Sequence, residues 1–181
     1  MRKKQYNLLV IAPYSKWFGV AVFSKLQLLE FAVRKYHDRT FDIDRDLCHA
    51  TDLINEFKPT NVIVKALTIR QIGAEKQVNI LNGLRRAAAL MQIPFTEVDL
   101  DGAKQSLLKD RGATIETLFE KVRGSFPELS RIASFQNRSQ REYYTPLLSA
   151  VAIGASFRIP SGNGNARQST NTGHCAENKT Q

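Results

Sequence analysis

The sequence is poor in the features that mark secreted, membrane-spanning and disulfide-stabilised proteins. It has two cysteines among 181 residues, Cys48 and Cys175, which lie far apart in the chain and suggest no disulfide framework. No apolar run approaches the length that crosses a bilayer. The basic N-terminus leads into an apolar stretch, but Pro13 and Lys16 interrupt it before any signal-peptide cleavage site. We therefore expect a cytoplasmic protein that does not associate with membranes.

Acidic residues are scarce relative to basic ones. The chain carries 26 Lys and Arg against 17 Asp and Glu, a formal net charge of +9, and its isoelectric point is near 9.8. A polyanion is the expected partner, because neutralising phosphates releases counterions and drives association. The alternative is a basic protein whose charge only keeps it in solution.

Five apolar segments predict strands. The first is apolar throughout, as expected of a strand buried on both faces, and the next two follow after short turns as an antiparallel meander. The later strands alternate with helical patterns, which predicts a mixed sheet with helices on both faces. The predicted strands are 6–11, 18–23, 28–33, 61–64 and 95–100.

Apolar residues at helical spacing predict five helices. Asp44 or Asp46 is placed to cap the first helix, and Thr145 to cap the last, with Pro146 at its first position. The segment 126–141 is polar and basic and is predicted to be irregular. The predicted helices are 47–57, 71–91, 102–109, 114–122 and 146–157, the second with an apolar stripe of Leu81, Leu84, Ala88 and Met91.

The apolar pattern stops before residue 159. Ser, Gly, Asn, Thr and Gln dominate beyond it, and such a segment cannot bury enough apolar surface to offset the entropy lost on ordering. We therefore predict one α/β domain over residues 1–158 and a disordered polar tail over 159–181. The element order is that of the ribonuclease H-like fold, with a three-strand antiparallel meander and two parallel strands in one five-stranded sheet.

Three segments resemble the RuvC-type Holliday junction resolvases. Residues 9–15, Leu-Val-Ile-Ala-Pro-Tyr-Ser, are similar to the end of that family's first strand, which reads Asp-Pro-Gly-Ser. Residues 61–65, Asn-Val-Ile-Val-Lys, look like its fourth strand, which ends in a catalytic Glu. Residues 149–155, Ser-Ala-Val-Ala-Ile-Gly-Ala, are similar to its final helix, Asp-Ala-X-Ala-Leu-Ala-Ala. The resemblance covers about residues 6–157 and implies a ribonuclease H-like fold and a nucleic-acid partner, above all DNA.

The same resemblance implies that the catalytic acids are missing. The family cuts with carboxylates from the first strand, the fourth strand and the last helix, which hold two divalent metals that activate water. The matching positions here are Ala12, Lys65 and Ser149, and none is a carboxylate. Shifting the alignment by one residue restores no acid at any of them. The resemblance therefore implies a degenerate site that binds no metal cofactor.

Acidic residues elsewhere provide an alternative metal site. Glu97, Asp99 and Asp101 alternate along the predicted fifth strand and its end, a spacing that points side chains to one face. A solvated strand face, with Asp101 as a helix cap, also explains them. Three other sets are explained by helix capping or lack the spacing of zinc ligands: Asp42, Asp44 and Asp46; Cys48 and His49; His174 and Cys175.

Basic residues interleaved with aromatic ones predict a nucleic-acid surface. Arg and Lys engage phosphates, and Tyr stacks on an unpaired base, although a solvated charged surface is an equal alternative. Trp17, at the hairpin turn, is either a further stacking residue or a cover for the sheet edge. The predicted nucleic-acid-binding residues are Lys65, Lys104, Lys109, Arg111, Arg131, Arg138, Arg141, Tyr143 and Tyr144.

Three functions remain open at this point. The favoured one is a catalytically degenerate, resolvase-like domain that binds nucleic acid without a cofactor, as a monomer or a homodimer. The second is a magnesium-dependent endonuclease whose acids come from 97–101 or 42–46. The third is a protein-interaction scaffold. Binding and cleavage assays on branched, single-stranded and duplex DNA separate the three.

Overall fold

A computed structural model of the protein describes residues 8–25, 27–36, 43–68, 75–110, 112–132, 135 and 137–157, and for 43–49 only the backbone. Within these ranges five strands form one sheet in the order β3-β2-β1-β4-β5. No helix of this part is long and apolar enough to cross a membrane. The strands are β1 (Leu8–Pro13), β2 (Trp17–Ser24), β3 (Gln27–Lys35), β4 (Val62–Lys65) and β5 (Phe95–Val98).

Strand directions follow from the lengths of the connections. β1, β2 and β3 are joined by short turns and pair antiparallel, whereas β4 and β5 each follow a helix and pair parallel, β4 with β1 and β5 with β4. A parallel pair needs such a crossover, because the chain must return to the starting edge of the sheet. The predicted α/β fold, with a meander and two parallel strands, is confirmed.

Helices cover both faces of the sheet. α1 and α2 pack on one face, which we call the α1 face, and α3, α4 and α5 pack on the other, the α5 face. The helices are α1 (Ile43–Phe57), α2 (Glu75–Leu90), α3 (Leu100–Leu108), α4 (Ile115–Ser125) and α5 (Arg138–Ser156), with a short 3-10 helix at Pro127–Arg131.

The central strand β1 is buried along its whole length. Its side chains alternate between the two cores, as they must in an extended strand. Leu9 and Ile11 enter the core on the α1 face, and Val10 and Ala12 enter the core on the α5 face. This explains why the strand is apolar at every position instead of at every second one.

Helix α5 approaches the sheet at two glycines. A Cβ built on Gly19 of β2 would overlap the backbone carbonyl of Pro146, and one built on Gly154 would overlap the ring of Phe23. The eight steps from Pro146 to Gly154 span about 12 Å of helix, and the four steps from Gly19 to Phe23 span about 13 Å of strand. The helix therefore lies along β2, against the strand backbone at Gly19 and against the Phe23 ring at Gly154.

The predicted start of the last helix is wrong. Helix α5 begins at Arg138, within the segment predicted to be irregular, and its N-cap is Asn137, whose side chain accepts a hydrogen bond from the Gln140 N–H at 2.9 Å. Pro146 therefore lies inside the helix, and Thr145 is no cap, since its hydroxyl donates to the Arg141 carbonyl at 2.7 Å. The eight residues before Pro146 form the first two turns of the helix, whereas the prediction placed Pro146 at its first position.

Other element ends also differ from the predictions. The fifth strand stops at Val98, because Asp99 turns the chain and caps α3 by accepting from the Gly102 N–H at 3.3 Å, so the predicted cap at Asp101 is wrong. Met91 lies beyond the end of α2 and is 36% exposed, so it is no part of the apolar stripe. Helix α1 begins at Ile43, which places Asp44 and Asp46 inside its first turn.

Several predictions concern residues that lie outside the described ranges, and others concern residues of which only the backbone is described. The side chains of Asp44, Asp46, Cys48 and His49 belong to the second group. The first group comprises Asp42, Arg111, His174, Cys175 and the polar tail 159–181.

Candidate functional site

A polar centre lies on the α5 face, where β1, β4 and α5 meet. Lys65, the last residue of β4, is only 4% exposed, and its ammonium lies 4.7 Å from the centroid of the Tyr14 ring. The Tyr14 hydroxyl is hydrogen bonded to the Ser149 hydroxyl of α5 at 2.8 Å. Ala12, two residues before Tyr14, is fully buried on the same sheet face. The structure thus places Ala12, Lys65 and Ser149 around Tyr14.

Strand register places Lys65 at this centre. The parallel pairing of β1 and β4 sets Val10 beside Ile63, so two residues further along the same register Ala12 is level with Lys65. Because side chains alternate along a strand, Lys65 shares the face of Ile63, which belongs to the core under α5. The charged end of β4 is therefore directed under the helix and away from the α1 face.

Burial changes the ionisation of both titratable groups at the centre. It lowers the pKa of the Lys65 ammonium, and the Asp99 carboxylate offsets part of this effect by favouring the charged form. It raises the pKa of the Tyr14 hydroxyl, an effect that the hydrogen bond with Ser149 reduces. Tyr14 is therefore a neutral phenol at physiological pH, and the face of its ring stabilises the Lys65 cation.

These groups do not fit a divalent metal ion. Magnesium takes several hard oxygen ligands, most often carboxylates. The centre offers the methyl group of Ala12, an ammonium, and the hydroxyls of Tyr14 and Ser149, which already bond to each other. Throughout the part of the chain that the structure describes, no three or more His, Cys, Asp or Glu side chains cluster in a way that could hold a metal.

The acids near β5 have separate roles. Glu97 is paired with Arg85 of α2, and Asp99 is the N-cap of α3. Asp101 lies within α3 and forms an ion pair with Lys104 at 3.2 Å. The three carboxylates thus have different partners, because the chain changes from strand to helix between the first and the last of them.

The N-terminal half of α5 brings four of the predicted nucleic-acid-binding residues together: Arg138, Arg141, Tyr143 and Tyr144. The Arg138 side chain is 91% exposed and pairs with Glu142 at 3.0 Å. Arg141 pairs with Glu116 of α4. This half of the helix therefore presents basic and aromatic groups at the surface, within and just after the segment 126–141 that was predicted to be irregular.

A groove of about 530 Å³ lies between α4 and this half of α5. Phe119 and Phe135 contribute its aromatic rings, and the Arg123 guanidinium lies 5.5 Å from the centroid of the Phe135 ring. Arg138 and Arg141 line the same groove. Its other lining residues are Glu116, Glu120 and Asn137.

A series of aromatic rings connects the groove with the β1–β2 turn. Trp17 lies 5.3 Å from Tyr143, and Tyr143 lies 5.0 Å from Tyr144, in both cases edge to face. Tyr144 stacks on Phe135 at 6.4 Å. We call Trp17, Tyr143, Tyr144 and Phe135 the aromatic track. It begins next to the polar centre, because the Tyr14 N–H donates to the Trp17 carbonyl across the turn at 3.0 Å.

The remaining predicted residues lie on other elements. Lys104 and Lys109 belong to α3 and its C-cap, and the Lys104 side chain is only 18% exposed. Arg131 ends the 3-10 helix and lines a separate depression with Phe31 and Ile132. Lys65 is too deeply buried to offer a phosphate more than a small part of its surface.

The sequence reasoning missed Tyr14, Arg123 and Phe135. Tyr14 lies in a segment that resembles resolvases, yet its ring contact with Lys65 depends on the pairing of β1 with β4, which lie far apart in the chain. Arg123 lies one helical turn after Phe119, a spacing that places both on one side of α4. No sequence signal indicates that Phe135 joins them, since it belongs to neither α4 nor α5.

Two solved structures of Thermus thermophilus RuvC match most of the chain. RuvC in complex with a Holliday junction substrate matches with a TM-score of 0.63 and 21% sequence identity, over 82% of this chain and 90% of that one. A second RuvC structure matches with a TM-score of 0.60 and 19% identity, over 83% and 93%. No family model and no curated protein sequence matches the chain. The domain therefore has the ribonuclease H-like fold of RuvC.

Proposed function

We propose that this chain is a resolvase-like nucleic-acid-binding domain that does not cut by metal-dependent hydrolysis. The observation that carries the proposal is the buried Lys65 ammonium at the end of β4, 4.7 Å from the Tyr14 ring centroid. The resemblance to resolvases implies a catalytic carboxylate at this position. A lysine amine there supplies no oxygen ligand, and in its charged form it repels the divalent metals that two-metal hydrolysis requires.

The two other matching positions support the same proposal. Ala12 has no ligand atom in its side chain, and the Ser149 hydroxyl is engaged by Tyr14. Restoring a single acid would not suffice, because one carboxylate cannot hold two metal ions. We therefore expect that Lys65→Glu does not create a nuclease.

An endonuclease with relocated acids is less compatible with the geometry. The carboxylates of Glu97, Asp99 and Asp101 engage Arg85, the α3 backbone and Lys104 respectively. A metal would have to displace two cations and a helix cap to gather them. A protein-interaction scaffold stays as the second alternative, which the binding experiment below separates from the first.

The net charge of +9 supports a polyanionic partner. We propose DNA as the main ligand, since RuvC, whose fold this chain shares, is seen in complex with a Holliday junction. Phosphate contacts would come from Arg138 and Arg141, with Lys109 and Arg131 at other points of the surface. A homodimer would double these contacts, and sedimentation of the free protein tests for it.

The test is to incubate the purified protein with branched, single-stranded and duplex DNA, with magnesium or manganese, and to score binding and cleavage together. We expect binding that weakens with salt, by about 0.9 in logarithmic slope for each phosphate neutralised on duplex DNA, and no cleavage. Magnesium-stimulated cutting that is lost in Asp99→Asn would establish the endonuclease instead. Absence of saturable binding at low salt would leave only the scaffold.

Variants separate phosphate contacts from effects at the centre. Arg138→Ala should lower affinity similarly for all DNA sequences, as expected of a phosphate contact. Arg141→Ala should do the same, although it also leaves Glu116 without its partner. Lys65→Glu should also weaken binding, through the electrostatic field of its new negative charge, because this side chain is too deeply buried to contact a phosphate itself.

A further inference from the structure

We propose that the aromatic track holds an unpaired strand of nucleic acid, so that the domain binds single-stranded DNA in preference to a continuous duplex. This inference rests on the proposed function and deepens it by naming the structure that is recognised. It concerns a surface at the β1–β2 turn and the N-terminal half of α5, beside the polar centre but distinct from it.

The exposed part of the track offers ring faces on which nucleobases can stack. Tyr143 is 38% exposed, and Trp17 beside it is half-buried. The ring planes of Trp17 and Tyr143 meet at 77°, and those of Tyr143 and Tyr144 meet at 83°. Neither pair is therefore stacked in parallel. Bases of a single strand offer a π-face to such rings, whereas a continuous duplex buries those faces between neighbouring base pairs. The exposed rings therefore favour an unpaired strand.

The end of the track at Phe135, which is half-buried, opens into the groove between α4 and α5. Its volume of about 530 Å³ falls in the range of small-molecule pockets, large enough for one nucleoside and too small for a duplex. The Arg123 guanidinium over the Phe135 ring forms a flat cationic and aromatic wall, a pairing that also stacks on nucleobases. We expect one base to enter the groove while its neighbours stack on Tyr143 and Trp17.

Charges around the track are nearly balanced. Glu142 engages both Lys16, at 4.0 Å, and Arg138, at 3.0 Å, and carboxylates also line the groove. Cations exceed carboxylates by one: Lys16, Arg123, Arg138 and Arg141 against Glu116, Glu120 and Glu142. The preference for unpaired DNA should therefore come from stacking, and it should depend on salt much less than total affinity does.

Trp17 is the only tryptophan of the chain, so its fluorescence reports directly on this surface. The experiment titrates the full-length protein with an oligothymidylate of about 15 nucleotides and with a duplex of equal length. We expect the single strand to quench Trp17 at saturation and the duplex to quench it little. Anisotropy of labelled oligonucleotides in the same buffers gives the two affinities.

Substitutions in the track then separate stacking from folding. Tyr143→Ala should lower affinity for the single strand about tenfold, with duplex affinity and the salt slope unchanged. Tyr143→Phe, which keeps the ring, should bind as the wild type does. Phe157→Ala is the matched control, since Phe157 is 50% exposed near the other end of α5 and should affect neither ligand.

Each outcome is decisive for one of the two proposals. Equal affinity for single strand and duplex, or an equal loss for both in Tyr143→Ala, would overturn the track and leave nucleic-acid binding intact. Binding of neither ligand at low salt would overturn the proposed function itself. If Trp17 is not quenched while the single strand binds tightly, the strand follows another path and the inference fails.

Discussion

The hydroxyls of Tyr14 and Ser149 lie 2.8 Å apart, although 135 residues separate them in the chain. This bond links the turn that follows the central strand to the last helix, at the point where resolvase-like enzymes are expected to bring carboxylates together. A neutral hydrogen bond between two hydroxyls joins the two elements at this point.

Removal of this bond should destabilise the fold. Tyr14→Phe leaves the fully buried Ser149 hydroxyl without this partner, and we expect a loss of about 1 kcal/mol in the free energy of unfolding. Ser149→Ala should cost a similar amount. A double-mutant cycle measured by urea denaturation should give a coupling of about 1 kcal/mol, and strictly additive effects would show that the bond contributes nothing.

Replacement of Lys65 by Met should stabilise the domain at neutral pH, by about 1 kcal/mol, because it removes a buried charge. Burial lowers the pKa of Lys65 in the folded state below its unfolded value of 10.5. Below the folded pKa the wild type carries the full cost of the desolvated ammonium. As pH rises from the folded pKa to 10.5 the wild type regains stability, while Met does not titrate.

The advantage of Lys65→Met should therefore shrink between neutral pH and about pH 10. Urea denaturation of both proteins across this range measures the difference directly. The control is Lys16→Met, which removes a lysine whose side chain is 72% exposed and therefore removes no buried charge. A constant difference for Lys65→Met would mean that the ammonium is not desolvated.

Gly19→Ala should be the most damaging of the small substitutions. The new methyl group would overlap the Pro146 carbonyl, which is backbone and cannot rotate away, so we expect a loss of about 3 kcal/mol. Gly124→Ala is the matched control, because nothing lies within 4 Å of the added Cβ. It should be neutral or stabilising by up to about 1 kcal/mol. Thermal denaturation distinguishes the two variants.

Glu142→Gln should strengthen binding of DNA. The carboxylate engages both Lys16 and Arg138, and its neutralisation leaves these cations available to phosphates. We expect a gain of about threefold at low salt, with a steeper dependence of affinity on salt. Unchanged affinity and slope in anisotropy titrations would place the phosphates away from α5.

Much of the fold could be predicted because its signals are local. The apolar run of β1 and the turn residues of the meander are signals carried by neighbouring residues of the sequence. The order of the predicted strands and helices then indicated the mixed sheet. The start of α5 was missed because Pro146 is a strong local signal for a helix start. Packing of the aromatic rings around Tyr143 and Tyr144 and the cap at Asn137 stabilise the two turns before it.

The candidate site was harder to predict from the sequence, because its contacts join residues that are far apart in the chain. The resemblance singled out Ala12, Lys65 and Ser149, but no pattern in the chain indicated that Tyr14 joins the last two. The basic residues were predicted as one group, and the structure distributes them over α3, the 3-10 helix and α5. Which of them share a surface depends on helix packing, which residue spacing does not encode.

The contact of Gly19 with Pro146 limits how the polar centre between β1, β4 and α5 can be altered. Because backbone meets backbone there, repacking of side chains cannot bring α5 closer to β2 at this point. The contact therefore sets a lower limit on the depth of the space between β1, β4 and α5. A designer who wishes to install a metal ligand there would need side chains long enough to bridge that depth.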